Sequence, residues 1–282
     1  MTEKATYGDE AQLRGLWKLV FGDGDRFLES FFGNLFQPGE CLVTRSWGQI
    51  TAMLFMLPCV WSGRTGDRPM RYIYACATHP DHRRRGLMGE LLKAAAGYGA
   101  QNGLELSLVP EDHLWEYYGR FGFTERTYLY MRKYPAPAAA KDASVWRSVA
   151  EHGDAPALLY DLRTHFWQGK NAVLWPEAHL KVALGEIFAQ GGDFLAMKTG
   201  GGLPPGYALA VPAGGTVNII ECASALTQDD MIDSLRNHYR DKTTLFSLAE
   251  GIAGSCAQTP FGLVRAGKSG GEPPYLNLAL DF

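Results

Sequence analysis

Tyr72-Ile73-Tyr74-Ala75-Cys76-Ala77-Thr78-His79-Pro80-Asp81-His82-Arg83-Arg84-Arg85-Gly86-Leu87-Met88 is the stretch on which the fold turns. The run up to Thr78 reads as a strand, and Pro80 ends it because proline cannot donate to a ladder. Leu87, Leu91, Ala95 and Met88, Leu92, Ala96 then recur every fourth residue. That spacing predicts a helix from about Gly86 to Asn102 with a core-facing stripe, stopped by Gly103. Three arginines therefore stand where a helix begins. Cations there oppose the partial positive charge of the helix N-terminus, at about 0.3–1 kcal/mol each. A sequence that breaks a local rule invites a functional explanation. An anionic ligand supplies one, because first-turn amides point outward at phosphate oxygens. Gly86 leaves room for the ligand, and arginines add charge-assisted hydrogen bonds. A solvated basic turn would account for three arginines alone. The strand before them, the helix after them and the glycine in the first turn favour the ligand. Neither the G-x-G-x-x-G dinucleotide fingerprint nor the GxxxxGK[ST] phosphate loop occurs at this junction.

Outward from the junction, Asp9–Val20 and Arg26–Leu35 read as helices. Cys41–Trp47, Gln49–Val60 and Arg71–Thr78 read as strands. Beyond the long helix, Leu104, Leu106 and Leu108 alternate with Glu105 and Ser107, the period of a strand. A short helix at Asp112–Gly119 and a strand at Thr124–Lys133 follow. The order predicts a mixed α/β (α+β) sandwich in which Arg71–Thr78, the long helix and Leu104–Val109 form a right-handed βαβ unit.

Pro135–Ala140 is rich in proline and alanine and reads as a linker, 135–141, between domains at 1–134 and 142–282. The second half repeats the coarse order. Helices are expected at Ala155–His165, Glu177–Gln190 and Gln228–Tyr239. Strands are expected at Asp193–Thr199, Gly206–Val211, Thr216–Cys222, Thr244–Leu248 and Tyr275–Leu280. At its equivalent junction Thr227 is a good N-cap, and Asp229 and Asp230 suit the helix dipole. Those acids would repel a diphosphate, so the second half reads as a degenerate copy that keeps the architecture and lacks the cofactor site.

The chain has 282 residues, 46% hydrophobic and 20% charged, with net charge −3. That is a folded globular composition without a global basic footprint, so nucleic acid is not expected as a partner. Five cysteines (41, 59, 76, 222, 256) are scattered with no metal-ligand spacing, and no metal is expected. The polar N-terminus and the lack of any membrane-length apolar run predict a cytoplasmic protein without membrane contact.

Arg83–Met88 resembles the acetyl-CoA diphosphate loop of Gcn5-related N-acetyltransferases (GNAT), R/Q-x-x-G-x-G/A, with Met88 departing from the last position. A second signature, Leu114-Trp115-Glu116-Tyr117-Tyr118-Gly119-Arg120-Phe121-Gly122-Phe123, resembles the family's Y-x-x-x-G-F segment. The two stand in the family's order, one helix and one strand apart. The tandem arrangement is similar to the Eis-like group, and the chain is expected to lack that group's further C-terminal sterol-carrier-like domain. For that reason Phe282 is given no catalytic role. The resemblance implies an N-acetyltransferase that uses acetyl-CoA and passes the acetyl group directly to a primary amine of a small molecule or peptide. It implies Arg83, Arg84, Arg85, Gly86, Leu87 and Met88 as diphosphate contacts, and Cys76 and Thr78 as strand partners of pantetheine. It also implies Tyr118 as the acid that protonates the departing thiolate, with Tyr117 as the neighbouring competitor.

An alkylammonium must lose a proton before it attacks, since its reference pKa is about 10.4. Glu105, Glu111, Asp112 and His113 are the candidate bases, with Glu105 the best on a strand. A backbone amide near Thr78 would polarise the thioester carbonyl. Trp17, Phe21, Phe27, Phe31, Phe32 and Phe36 are candidates for an acceptor pocket, although helical spacing also fits a core. A non-catalytic acyl-CoA-binding regulator is the alternative function. An aminoacyl-tRNA-dependent transferase is a further one, disfavoured by the acidic balance. A homo-oligomer is left open.

Overall fold

The computed structural model of the protein describes residues 1–138, 144–149, 153–249, 257–265, 272–278 and 280. Cys256, the end of the expected linker (139–141), the expected domain start at 142, and Phe282 lie outside the described residues. The chain divides into two units, Met1–Thr127 with Gly262–Pro274, and Tyr128–Phe261 with Tyr275–Phe282.

In the first unit the elements are β1 (Thr2–Lys4), α1 (Glu10–Phe21), α2 (Asp25–Asn34), β2 (Cys41–Ser46), β3 (Gln49–Gly63), β4 (Gly66–Thr78), α3 (Leu87–Asn102), β5 (Glu105–Leu108), α4 (Trp115–Gly119) and the start of β6 (Glu125–Tyr134). The strands lie in the order β1-β2-β3-β4-β5. β4 and β5 run parallel, with α3 between them in sequence and Met70, Arg71 and Tyr72 level with Glu105, Leu106 and Ser107. α3 begins at Gly86, buries Leu91, Leu92, Ala95 and Gly99, and ends at Gly103 in the left-handed region (φ 63°). The stripe and both stops agree with the spacing.

Trp17 of α1 is 1% exposed. Its ring meets Phe31 at 4.7 Å, Phe55 at 5.5 Å and Tyr74 at 5.7 Å. Its Nε1 donates to Asp23 Oδ2 at 2.7 Å, so the one polar atom of a buried indole is satisfied. Phe31, Phe32 and Phe36 are buried with it. These aromatics are core, as their helical spacing allowed, and only Phe21 is substantially exposed.

The far end of the chain brings a difference. β13 (Ala257–Arg265) enters the first unit at Gly262 and pairs antiparallel with β5, Leu263 level with Leu108 and Arg265 with Leu106. β5 therefore has neighbours on both edges. All four of its residues are buried, including Glu105 and Ser107, which the alternation pattern had placed on a polar face.

The second unit contains the rest of β6, β7 (Trp146–Ser148), α5 (Ala155–Trp167), β8 (Ala172–Leu174), α6 (Glu177–Ala189), β9 (Asp193–Met197), β10 (Gly206–Ala213), β11 (Thr216–Ser224), α7 (Gln228–His238) and β12 (Thr243–Leu248). Its strands run in the order β6-β12-β11-β10-β9-β7. β11 and β12 are parallel and flank α7 in sequence, the same βαβ plan as β4-α3-β5. Of Tyr275–Leu280, expected as a strand, the described residues supply only an isolated bridge from Tyr275 to Ala172. The segment is held instead by side chains. Trp175 Nε1 donates to the Asn277 carbonyl at 2.6 Å, and Asn277 Nδ2 donates to Tyr275 Oη at 2.8 Å.

A buried ion pair organises this unit. Arg163 of α5 is 1% exposed and Glu221 of β11 is 0% exposed. Arg163 donates Nε to Glu221 Oε1 at 2.8 Å and Nη2 to Oε2 at 3.1 Å. Tyr207 Oη donates to Glu221 Oε1 at 2.6 Å and accepts from Trp167 Nε1 at 2.7 Å.

His179 of α6 is buried, stacks on Trp175 at 4.0 Å, and donates Nε2–H to the Leu278 carbonyl at 2.7 Å. Nδ1 has no partner. Burial, aided by the nearby Arg163 charge, pushes its pKa down to about 3. The folded ring stays neutral where the unfolded chain takes up a proton, below about pH 6.5. Below that point the unfolded state binds more protons. His179's contribution is therefore complete above pH 6.5 and is lost as pH falls toward 3, by up to about 1.4 kcal/mol per pH unit. Urea unfolding between pH 7.5 and 5 should show this slope, and His179→Leu should flatten it. An unchanged slope in the variant would exclude His179 as its source.

Among the described residues, no helix is long and apolar enough to cross a membrane.

Candidate active site

The site is built where β4 stops. Along β4, Tyr74 is level with Phe55 and Ala77 with Met53, so Ala75 and Cys76 together face the single residue Leu54. This is a bulge, and Ala75 sits in the left-handed region at φ 48°. Such a conformation costs a residue with a Cβ about 1–2 kcal/mol. It turns backbone groups of β4 out of the ladder. On the other edge, the parallel pairing of β4 with β5 ends at Tyr72–Ser107. β4 continues to Thr78 beyond it, so a wedge opens between the C-terminal ends of the two strands.

The chain leaves β4 through a tight loop. His79 N donates to the Thr51 carbonyl at 2.9 Å, Arg83 Nε to the Thr78 carbonyl at 3.3 Å, and Arg85 Nη2 to the Asp81 carbonyl at 2.9 Å. Arg84 (φ 61°) and Gly86 (φ 79°) are both left-handed, two residues apart. Turns of this kind gather successive amides into an anion-binding concavity. Arg83, Arg84, Arg85 and Gly86 are exposed, and Leu87 and Met88 are half-buried at the first turn of α3. A Cβ built on Gly86 meets nothing within 4 Å. Glycine is needed here for its backbone angle, and the space before it is open. Met88 does not close the approach, because it lies partly buried on the helix. The loop has the shape, the amides and the charge for a diphosphate.

Tyr118 is 7% exposed and forms a side-chain hydrogen bond with Cys76 of the bulge. Burial first, then the neighbouring Cys76, pushes its pKa well above the ordinary phenol value. Tyr117 is half-buried, is raised for the same two reasons, and packs on Phe121 at 5.3 Å. Phe121 in turn rests on the first turn of α3, where a Cβ on Gly89 would meet Phe121 Cζ at 3.1 Å. The two sequence signatures are thus in contact, through Gly89–Phe121 at the loop and Cys76–Tyr118 at the bulge.

The structure does not bring Glu105 to this place. Glu105 is level with Met70, in the first half of β4 and well before Thr78. Eight residues of strand, about 26 Å at 3.3 Å each, separate the two levels. Its carboxylate is buried and lies 3.5 Å from Arg68 Nη1, whose guanidinium stacks on Trp61 at 3.6 Å. In a parallel pair both strands begin at the same end, so the first residue of β5 falls opposite the first half of β4. Glu111, Asp112 and His113 follow the C-terminal end of β5 and are exposed. Glu111 is near enough to Tyr118 for its charge to help hold the phenol neutral.

Two residues of this site escaped sequence reasoning. Ala75 carries the strained bulge, and alanine has no signature for it. Arg265 of β13 donates Nε to the Phe121 carbonyl at 3.0 Å, and a Cβ on Gly122 would meet that Nε at 2.9 Å. Gly122 (φ 87°) therefore serves both the turn and the seat for Arg265.

Residues 2–126 match the sequence profile of the acetyltransferase (GNAT) domain. No curated protein matches the chain at the sequence level. Among solved structures, a probable N-acyltransferase of Enterococcus faecalis V583 superposes with a TM-score of 0.77 at 13% identity, over 94% of this chain and 71% of its own. A GCN5-related N-acetyltransferase of Anabaena variabilis gives 0.76 at 12% identity, over 94% and 72%. Eis1 of Mycobacterium abscessus gives 0.68 at 14% identity, over 94% and 73%. At these identities the likeness is one of fold, and it extends across both units.

Proposed function

Because residues 2–126 match the GNAT acetyltransferase domain, we propose that the chain moves an acetyl group from acetyl-CoA to a primary amine of a small molecule or peptide, by direct attack. Acetyl-CoA supplies the thioester carbonyl and the thiol leaving group. The first-turn amides of α3, with Arg83, Arg84 and Arg85, take the diphosphate. The open edge of β4 from Cys76 to Thr78 pairs with the pantetheine amides as an added strand would. The bulge at Ala75–Cys76 aims an amide at the carbonyl oxygen. Tyr118 gives its phenolic proton to the departing sulfur. Glu111, beside Tyr118 and open to water, replaces Glu105 as the group toward which the amine's proton moves.

The observation that carries this reading is the Tyr118–Cys76 contact, which seats a neutral acid at the bulge beside the loop. The second unit is read as keeping the fold without the cofactor. Its α7 begins on Thr227 Oγ1, which accepts from Asp230 N at 3.2 Å, and Asp229 and Asp230 occupy the first turn. Their charge opposes a diphosphate there.

Acetyl-CoA-dependent thiol release against a panel of amines tests the reaction. Stoichiometric acetyl-CoA binding with no turnover on any amine would instead favour a regulatory binder. The joint change Arg83→Glu and Arg85→Glu should weaken CoA binding about 10–100-fold, two charge-assisted bonds at about 1.5–3 kcal/mol each being only partly lost to solvent. The melting temperature should move by no more than a few degrees, since both side chains are exposed. CoA affinity within twofold of wild type, measured by calorimetry, would remove the loop from the site.

A further inference from the structure

The second unit opens at the same place in its βαβ plan as the first. The parallel pairing of β11 with β12 ends at Ile219–Phe246, while β11 runs on to Ser224 and β12 to Leu248. A cavity of about 270 Å³ lies at that opening. Phe166, Trp167, Cys222, Met231 and Leu248 form its apolar wall, Ser224 and Gln228 add polar groups, and the exposed Lys170 borders it.

The Trp167 wall is fixed from behind. Its Nε1 donates to Tyr207 Oη, which donates to Glu221, which is held by both arms of Arg163. Tyr275 lies against the same indole at 4.8 Å. Lys170 is tied to this wall as well, its backbone N donating to the Trp167 carbonyl at 3.0 Å. A buried chain of three polar side chains, Tyr207, Glu221 and Arg163, thus holds one aromatic surface in place beside one cation, the arrangement of a preorganised site.

The lining selects the ligand. Two aromatic rings, a thioether and a leucine favour a flat apolar body. The Lys170 ammonium favours one negative charge, while the acids of α7 disfavour a diphosphate. The volume is just below the roughly 300–1,000 Å³ of drug-sized pockets, so the ligand is small. We propose that this cavity binds a small aromatic monocarboxylate, at a site separate from the acetyl-transfer wedge of the first unit.

The test uses the full chain with 3-phenylpropanoate as probe and 3-phenylpropan-1-ol as its uncharged counterpart, read by saturation-transfer NMR and calorimetry. The acid should bind with Kd below about 1 mM, more tightly than the alcohol, and equally well with acetyl-CoA saturating. Met231→Trp, which fills the cavity, should weaken the acid at least tenfold. Lys170→Glu, an exposed change that leaves folding intact, should weaken the acid at least threefold and leave the alcohol unchanged. If Met231→Trp fails the circular-dichroism check for folding, Lys170→Glu decides. No transfer to the acid, equal affinity in the variants, or displacement by acetyl-CoA would each overturn the proposal.

Discussion

Tyr118→Phe is expected to lower kcat by about 100-fold or more while CoA affinity stays within threefold of wild type. The phenol is buried against Cys76, and burial with its neighbours holds its proton far above the working pH. It is therefore a donor at every pH at which the enzyme is assayed, and removing the oxygen removes the donor without emptying the ring's place in the core. The raised pKa also fixes the profile. Ionisation of Tyr118 would abolish activity on the alkaline side, and with the pKa raised that loss lies beyond pH 10. Wild-type kcat should show no alkaline fall between pH 8 and 10 from this group. Tyr117→Phe, at the more exposed neighbour, should change kcat by less than tenfold. Equal effects of the two substitutions, or a Tyr118→Phe enzyme at full rate, would remove Tyr118 from the chemistry.

Arg163→Met should destabilise the second unit by about 3–5 kcal/mol, because it strands the Glu221 carboxylate in the core with only the Tyr207 hydroxyl to solvate it. Replacing both partners, Arg163→Met with Glu221→Leu, should recover most of that loss, since two apolar groups leave no charge unpaired. Urea midpoints for the two variants and wild type make the comparison. A single variant within 1 kcal/mol of wild type would show that the carboxylate finds water or a proton, and that the pair is not what holds α5 on β11.

The elements legible in the sequence were those whose signal is local. The period of four from Leu87 to Ala96, with Gly103 at the far end, placed α3 to within one residue of its observed span, Leu87–Asn102. Proline and three arginines marked the junction, and the tyrosine-glycine-phenylalanine segment marked its partner. What stayed hidden depends on pairing across the chain. β13 contains Pro260 and Gly262, which argue against a strand until a partner edge is supplied. β5 provides that edge, about 150 residues earlier in sequence. Glu105 looked like a solvent-facing base and is a buried carboxylate, 3.5 Å from Arg68 Nη1. Alternation shows which residues face opposite sides, and here both sides are covered. Register decides the rest. Sequence put Glu105 near the strand end where the cleft opens, whereas parallel pairing sets it level with Met70, in the first half of β4. The bulge at Ala75 has no compositional mark, since its conformation is imposed by the two flanking strands.

The strand supplied by residues 262–265 carries a consequence for biosynthesis. As the ribosome makes the chain from its N-terminus, the catalytic sheet emerges with one border bare and must wait for more than a hundred further residues before Leu263 and Val264 can cover it. Until then the nascent domain presents an uncapped strand to chaperones and to its neighbours. Cutting the gene after residue 134 would make that waiting state permanent, yielding a fragment that holds both sequence signatures and aggregates before it can acetylate.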